Sequence, residues 1–145
     1  MKKIIIVTSQ FNTEITDKLT EGAKDYFAEH PQADYSLHYF TVPGAVELPL
    51  FAKRCAAKKD VAAVICLGAV IYGETDHYDY VCQQVSFGCQ QAALDTDTPV
   101  MFGVLTTQTA DLARERTGGA KGNKGYYSAK ACMDLLREYE ALAEV

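Results

Sequence analysis

Four short apolar runs in this chain are each followed by a stretch whose apolar residues recur at helical spacing, and no other feature restricts the fold as much. The first run, KKIIIVTS, is rich in β-branched residues, and from Thr13 to His30 the residues Ile15, Leu19, Ala23, Tyr26 and Phe27 then share one helical face. Tyr35 to Val42 alternates like a strand before Pro43-Gly44, after which Leu48, Phe51, Ala52 and Cys55 recur at helical spacing. Pro49 falls early enough in that helix to be tolerated. Val61 to Leu67 is the most apolar strand, and Asp79 to Ala93 turns Val81, Val85, Cys89, Ala92 and Ala93 toward one side. Val100 to Leu105 is a fourth strand, followed by a short helix from Thr109 to Arg116. A last helix from Asn123 is expected to point Tyr127, Cys132, Leu135, Leu136 and Tyr139 inward.

Strands interleaved with helices predict a parallel sheet, because parallel neighbours need crossover connections, and those crossovers are right-handed. The expected architecture is a three-layer α/β/α fold with a four-stranded parallel sheet in the flavodoxin-like order 2-1-3-4. With 145 residues and no repeat, low-complexity tract or linker, the chain is expected to form a single domain, 1–145. The segments after the strands, SQFN, VPGAVE, GAVIYGETDH and LTTQT, then gather at one edge of the sheet, where open α/β sheets bind ligands.

Composition narrows the partners. A net charge of −5 argues against a general nucleic-acid binder and leaves room for a local basic pocket. After its lysines, MKKIIIVTSQFN offers only about five apolar residues, short of a signal-peptide core, and no apolar run approaches membrane-spanning length. The five cysteines, at 55, 66, 82, 89 and 132, are odd in number, lack CxxC spacing and read as reduced thiols at core positions. A cytoplasmic protein acting on small molecules is expected.

Each candidate site residue has an ordinary reading beside its functional one. Phe11, directly after a strand, is either a core residue or a surface on which a flat heterocycle stacks. Glu47 is either a first-turn acid favoured by the helix dipole or an acceptor for ligand hydroxyls. Gly73, Glu74 and Thr75 form a flexible entry to a helix whose backbone N–H groups suit an anion. His77 follows directly, and histidine titrates near neutral pH, which suits it to taking and returning protons. His30 and His38 have no ligand spacing to His77, so no metal is expected, and Cys66, Cys82 and Cys89 read as core residues rather than nucleophiles. The stretch RERTGGAKGNKG, Arg114 to Gly125, has the composition of an anion loop. It is not the Walker pattern, because Lys124 is followed by Gly125 where Ser or Thr belongs.

Taken together these motifs resemble the 6,7-dimethyl-8-ribityllumazine synthases of riboflavin biosynthesis. FN at Phe11-Asn12, VPGAVELP from Val42, GAVIxGET from Gly68, HYDYV from His77, PVMFGVLTT from Pro99 and GNKG from Gly122 all occur in the family's order. The resemblance implies that Phe11 stacks on the pyrimidine of 5-amino-6-ribitylaminouracil, with Asn12, Ala45, Val46 and Glu47 along the ribityl chain. It places Ala69, Val70 and Ile71 beside the ring, and gives Gly73, Glu74 and Thr75 to the phosphate of 3,4-dihydroxy-2-butanone 4-phosphate. His77 matches the proton-transfer histidine, Arg116 the cation that binds the phosphate, Phe102 a pocket wall and Lys124 a nearby basic residue. In the family Phe102 and Arg116 come from a neighbouring subunit. The resemblance also implies a homopentamer, which some members build into a hollow capsid of twelve pentamers, and no cofactor.

The chain departs from the family at three places. Tyr72 stands where many relatives carry Arg or Lys, Asp76 where an uncharged residue is usual, and Lys121 one position from the more common lysine. Archaeal-type riboflavin synthases are the nearest competing enzymes, and a non-catalytic lumazine- or flavin-binding relative would have lost His77 and Arg116, which are both present. A signalling receiver domain would need acids where Ser9-Gln10 and Gly68-Ala69 stand.

Overall fold

The computed structural model describes residues 1–145. β1 (Lys2–Ser9), β2 (Tyr35–Val42), β3 (Val61–Ile71) and β4 (Val100–Thr107) form one parallel sheet in the order β2-β1-β3-β4. Between them run α1 (Thr13–Glu29), α2 (Leu48–Ala56, entered through a 3-10 turn at Ala45–Glu47) and α3 (His77–Thr96). After β4 come α4 (Ala110–Glu115), a small antiparallel hairpin of β5 (Thr117–Gly119) and β6 (Gly122–Asn123), and α5 (Lys124–Ala143). The expected three-layer fold and strand order are therefore present.

The alternation of side chains along each strand divides the core in two. Ile4 and Ile6 of β1 and Ala63, Ile65, Leu67 and Ala69 of β3 face α1 and α5, where Ile15, Leu19, Phe27, Cys132 and Met133 meet them. Ile5, Val7, Val64, Cys66 and Val70 face the other way, onto Leu48 and Ala52 of α2 and Val85 and Cys89 of α3. A central strand buried on both faces has no polar side to show, which is why β1 and β3 read as unbroken apolar runs.

Several boundaries differ from the sequence expectation. β3 continues past Leu67 through Gly68-Ala69-Val70-Ile71, because β4 runs on to Thr107 and gives each of those residues a partner, from Val104 to Thr107. α3 begins at His77 rather than Asp79. In α5 the inward stripe is Gly125, Ser128, Ala129, Cys132, Met133 and Leu136, so Tyr127 and Tyr139, expected inside, lie off it and are 52% and 49% exposed. Gly125 sets that rotation: α5 crosses so close to α1 that a Cβ there would collide with the Leu19 carbonyl. Asn123 secures the same crossing, with Oδ1 accepting from Tyr126 N–H at 3.1 Å and Nδ2 donating to the Lys18 carbonyl at 3.0 Å.

RERTGGAKGNKG takes up regular structure along most of its length. It closes α4, turns the β5–β6 hairpin on Gly118 and Gly122, which have φ of +105° and +76°, and caps α5.

Candidate active site

The carboxyl ends of β1, β2 and β3 are tied to one another by backbone bonds before any side chain enters. Gln10 N–H donates to the Val42 carbonyl at 2.8 Å and Phe11 N–H to the Pro43 carbonyl at 2.9 Å, so the loops after β1 and β2 run side by side. Asn12 takes the left-handed conformation, φ 68°, at the entrance to α1. Its side chain is thereby free of helix capping, and Nδ2 reaches the Ala69 carbonyl at the end of β3 at 3.3 Å. With the backbone turned away there, Phe11 stands 71% exposed. The core reading of Phe11 is excluded.

Glu47 folds back on its own turn, and Oε1 accepts from Gly44 N–H at 2.9 Å. That bond helps hold the Pro43-Gly44 turn, together with the Glu47 N–H donating to the Gly44 carbonyl at 3.2 Å, and the carboxylate makes no other hydrogen bond. Across the sheet edge, Thr75 Oγ1 accepts from His77 N–H at 3.3 Å, whereas Asp76, at the N-cap position of α3, makes no side-chain cap. His77 is exposed and its ring makes no hydrogen bond within the chain.

These segments enclose a cavity of about 330 Å³, within the range of small-ligand sites. Ten of the residues expected from sequence line it: Phe11, Asn12, Ala45, Val46, Ala69, Val70, Ile71, Gly73, Thr75 and His77. The cavity brings an exposed aromatic ring, apolar walls and a histidine within one small-molecule volume. Glu47 and Glu74 do not line it; Glu47 stands behind it, holding Gly44, which does.

Phe102, Arg116 and Lys124 lie outside the cavity. Arg116 Nη1 donates to its own helix at the Leu112 carbonyl, 2.8 Å, and lies 3.7 Å from Glu115. Lys124 is joined to it through the backbone, its N–H donating to the Arg116 carbonyl at 2.8 Å. Phe102 projects from β4, an edge strand, where it is 36% exposed. The candidate residues thus fall into two groups, a lined cavity and a separate aromatic-and-cation set.

Three lining residues were not anticipated: Gly44, Tyr78 and Val81. Val81 is four positions from His77 and three from Tyr78, so in a helix starting at His77 it lies beside both; placing the helix start at Asp79 hid that relation. A larger, shallower hollow of about 720 Å³ lies at the opposite end of the strands, between the last turns of α3 and α5, and collects none of the candidates. No group of three His, Cys, Asp or Glu side chains is arranged to hold a metal ion, and no helix is long and apolar enough to cross a membrane.

Residues 1–140 match the family model described as 6,7-dimethyl-8-ribityllumazine synthase. The chain belongs to that family. Proteins named 6,7-dimethyl-8-ribityllumazine synthase from two strains of Coxiella burnetii, Dugway and Nine Mile phase I, are 52% and 53% identical to it over 135 residues. Each alignment covers 93% of this chain and 89% of the relative. Membership in the lumazine synthase family makes the chain an enzyme, a transferase of riboflavin biosynthesis.

Proposed function

We propose that the chain condenses 5-amino-6-(D-ribitylamino)uracil with 3,4-dihydroxy-2-butanone 4-phosphate to give 6,7-dimethyl-8-ribityllumazine, releasing phosphate and water. The observation that carries this reading is the convergence of Phe11, Asn12, Val46, Ile71, Thr75 and His77 on one cavity in a member of this family.

In this reading the exposed Phe11 ring stacks on the pyrimidine, whose flat π-face suits it. The ribityl chain runs past Asn12, Ala45 and Val46 toward Glu47, whose second carboxylate oxygen is the natural acceptor for hydroxyls. The phosphate sits over Gly73, Glu74 and Thr75, at the positive end of α3. The pyrimidine amine attacks the ketone to give an imine and water. Phosphate then leaves, and the carbonyl that forms closes the second ring with loss of another water. Each step moves a proton, and His77 beside the cavity takes and returns it. Holding two substrates together supplies much of the remaining acceleration. Nothing in these steps calls for a metal or an organic cofactor.

The cation that the departing phosphate requires is absent from the cavity wall. We assign it to Arg116 of a neighbouring copy, with Lys124 and Phe102, in a homopentamer whose sites lie between subunits. Glu74, Asp76 and Asp79, which flank the lining residues Thr75, His77 and Tyr78 in sequence, are exposed and make no ion pair, which suits a basic neighbour.

Incubating the protein with both substrates and following lumazine absorbance tests the assignment. Formation well above the uncatalysed rate is expected, and formation at that rate would overturn it.

A further inference from the structure

His77 has no hydrogen-bonding partner for its ring, and the loop that leads to it is weakly held. Every residue from Tyr72 to Tyr80 is exposed except Tyr78. The N-cap residue Asp76 gives no side-chain cap, and the only local side-chain bond is the 3.3 Å contact from His77 N–H to Thr75. Something else has to fix the first turn of α3 relative to the sheet.

Tyr78 has the contacts to do so. Its ring lines the cavity and meets Tyr72, the residue following β3, edge to face, with ring centroids 5.5 Å apart and planes at 70°. Tyr72 N–H in turn donates to the Thr107 carbonyl of β4 at 2.9 Å. Cys82, one turn further along α3, and Thr106 on β4 are the side chains that act on the Tyr78 hydroxyl, Cys82 raising its pKa and Thr106 lowering it. The residue thus joins the helix start to the ends of both strands that flank it.

We propose that Tyr78 is a positioning residue, clamping the first turn of α3 against the ends of β3 and β4 so that His77 is held over the cavity. The proposal rests on the assignment of proton transfer to His77. Burial, then the neighbouring Cys82, raises the phenol above its ordinary pKa, so the hydroxyl stays neutral in the clamp. Tyr72, held to β4 through its N–H, completes the clamp.

A double-mutant cycle in the full-length protein decides it. Tyr78→Ala is expected to lower kcat about tenfold or more, with the KM of each substrate within about twofold of wild type, because misplacing a proton carrier slows chemistry more than it weakens binding. Tyr78→Phe keeps the ring, loses the hydroxyl and should fall between; it also reads the cycle if the alanine variant does not fold. In a His77→Ala background neither change should cost anything further. An equal loss with and without His77, or wild-type kcat in a folded Tyr78→Ala protein, overturns the proposal.

The imidazole Cε1–H signal of His77 gives a readout that needs no turnover. It should shift or broaden in Tyr78→Phe, and an unchanged signal also overturns the clamp. If the wild-type protein formed no lumazine while that signal responded to Tyr78, the proposed reaction would fail and the clamp would stand.

Discussion

At the scale of single residues, the site separates groups that act by position from groups that act by charge. His77 is exposed, bonded only through its backbone, and faces a cavity that otherwise holds mostly apolar walls, the aromatic rings of Phe11 and Tyr78, and the polar Asn12 and Thr75. Proton transfer by one positioned side chain is worth roughly 10² to 10⁴ in rate, and bringing two substrates together is worth as much again or more. His77→Ala should therefore lower kcat by about 10² and leave turnover measurable above the uncatalysed reaction. Steady-state kinetics on a folded variant check this; complete inactivity would mean that proximity contributes far less than argued. Phe11 shows what single residues reveal in sequence and what they hide. Its place after β1 allowed core or ligand stacking, and only the left-handed turn at Asn12, a property of the backbone, decides for exposure.

Among elements, the packing of α5 on α1 governs the side of the molecule that carries Arg116 and Lys124. Gly125 lies against the Leu19 backbone with no space for a methyl group, so Gly125→Ala must push the helices apart. A loss of about 1–3 kcal/mol is expected, or several degrees in Tm by calorimetry, although alanine is the better helix former. An unchanged or higher Tm would show that α5 can shift freely. Further along the same helix, burial pushes the Cys132 thiol up to about 12 from the ordinary 9.0. The folded state therefore favours the neutral thiol, a preference fully present below pH 9 and lost as pH rises from there toward 12. Urea titrations should show stability falling across that window, and less steeply in Cys132→Ala. Identical slopes would refute the assignment.

Element type was legible in sequence because the hydrophobic period changes from two to 3.6 along the chain. The ends were not. Where β3 stops depends on how far β4 can pair with it, and which face of α5 turns inward depends on one glycine's contact with a helix roughly a hundred residues earlier in sequence.

At the scale of the whole molecule, the division of the candidate residues matters most. The cavity gathers ten of them on one chain, while Phe102, Arg116 and Lys124 stand apart, with Arg116 bonded to its own helix. Sequence pattern places residues on elements but not on copies, so only the family resemblance anticipated this separation, and the folded chain sets the three apart from the cavity. In a cyclic assembly each cavity would meet the cation set of one neighbour. Arg116→Ala should then chiefly raise the KM of the phosphate substrate, by about tenfold for a lost charged hydrogen bond, and leave the pyrimidine's KM near wild type. The sharper test mixes defects. If Arg116→Ala and His77→Ala chains are co-expressed in equal amounts, random assembly restores both halves at about a quarter of the interfaces. Assayed with the phosphate substrate well below its wild-type KM, activity near a quarter of wild type is expected, well above the mean of the two pure variants. Activity equal to that mean would place cavity and cation on the same chain, and Arg116 would then have to leave the Leu112 carbonyl to reach its own site.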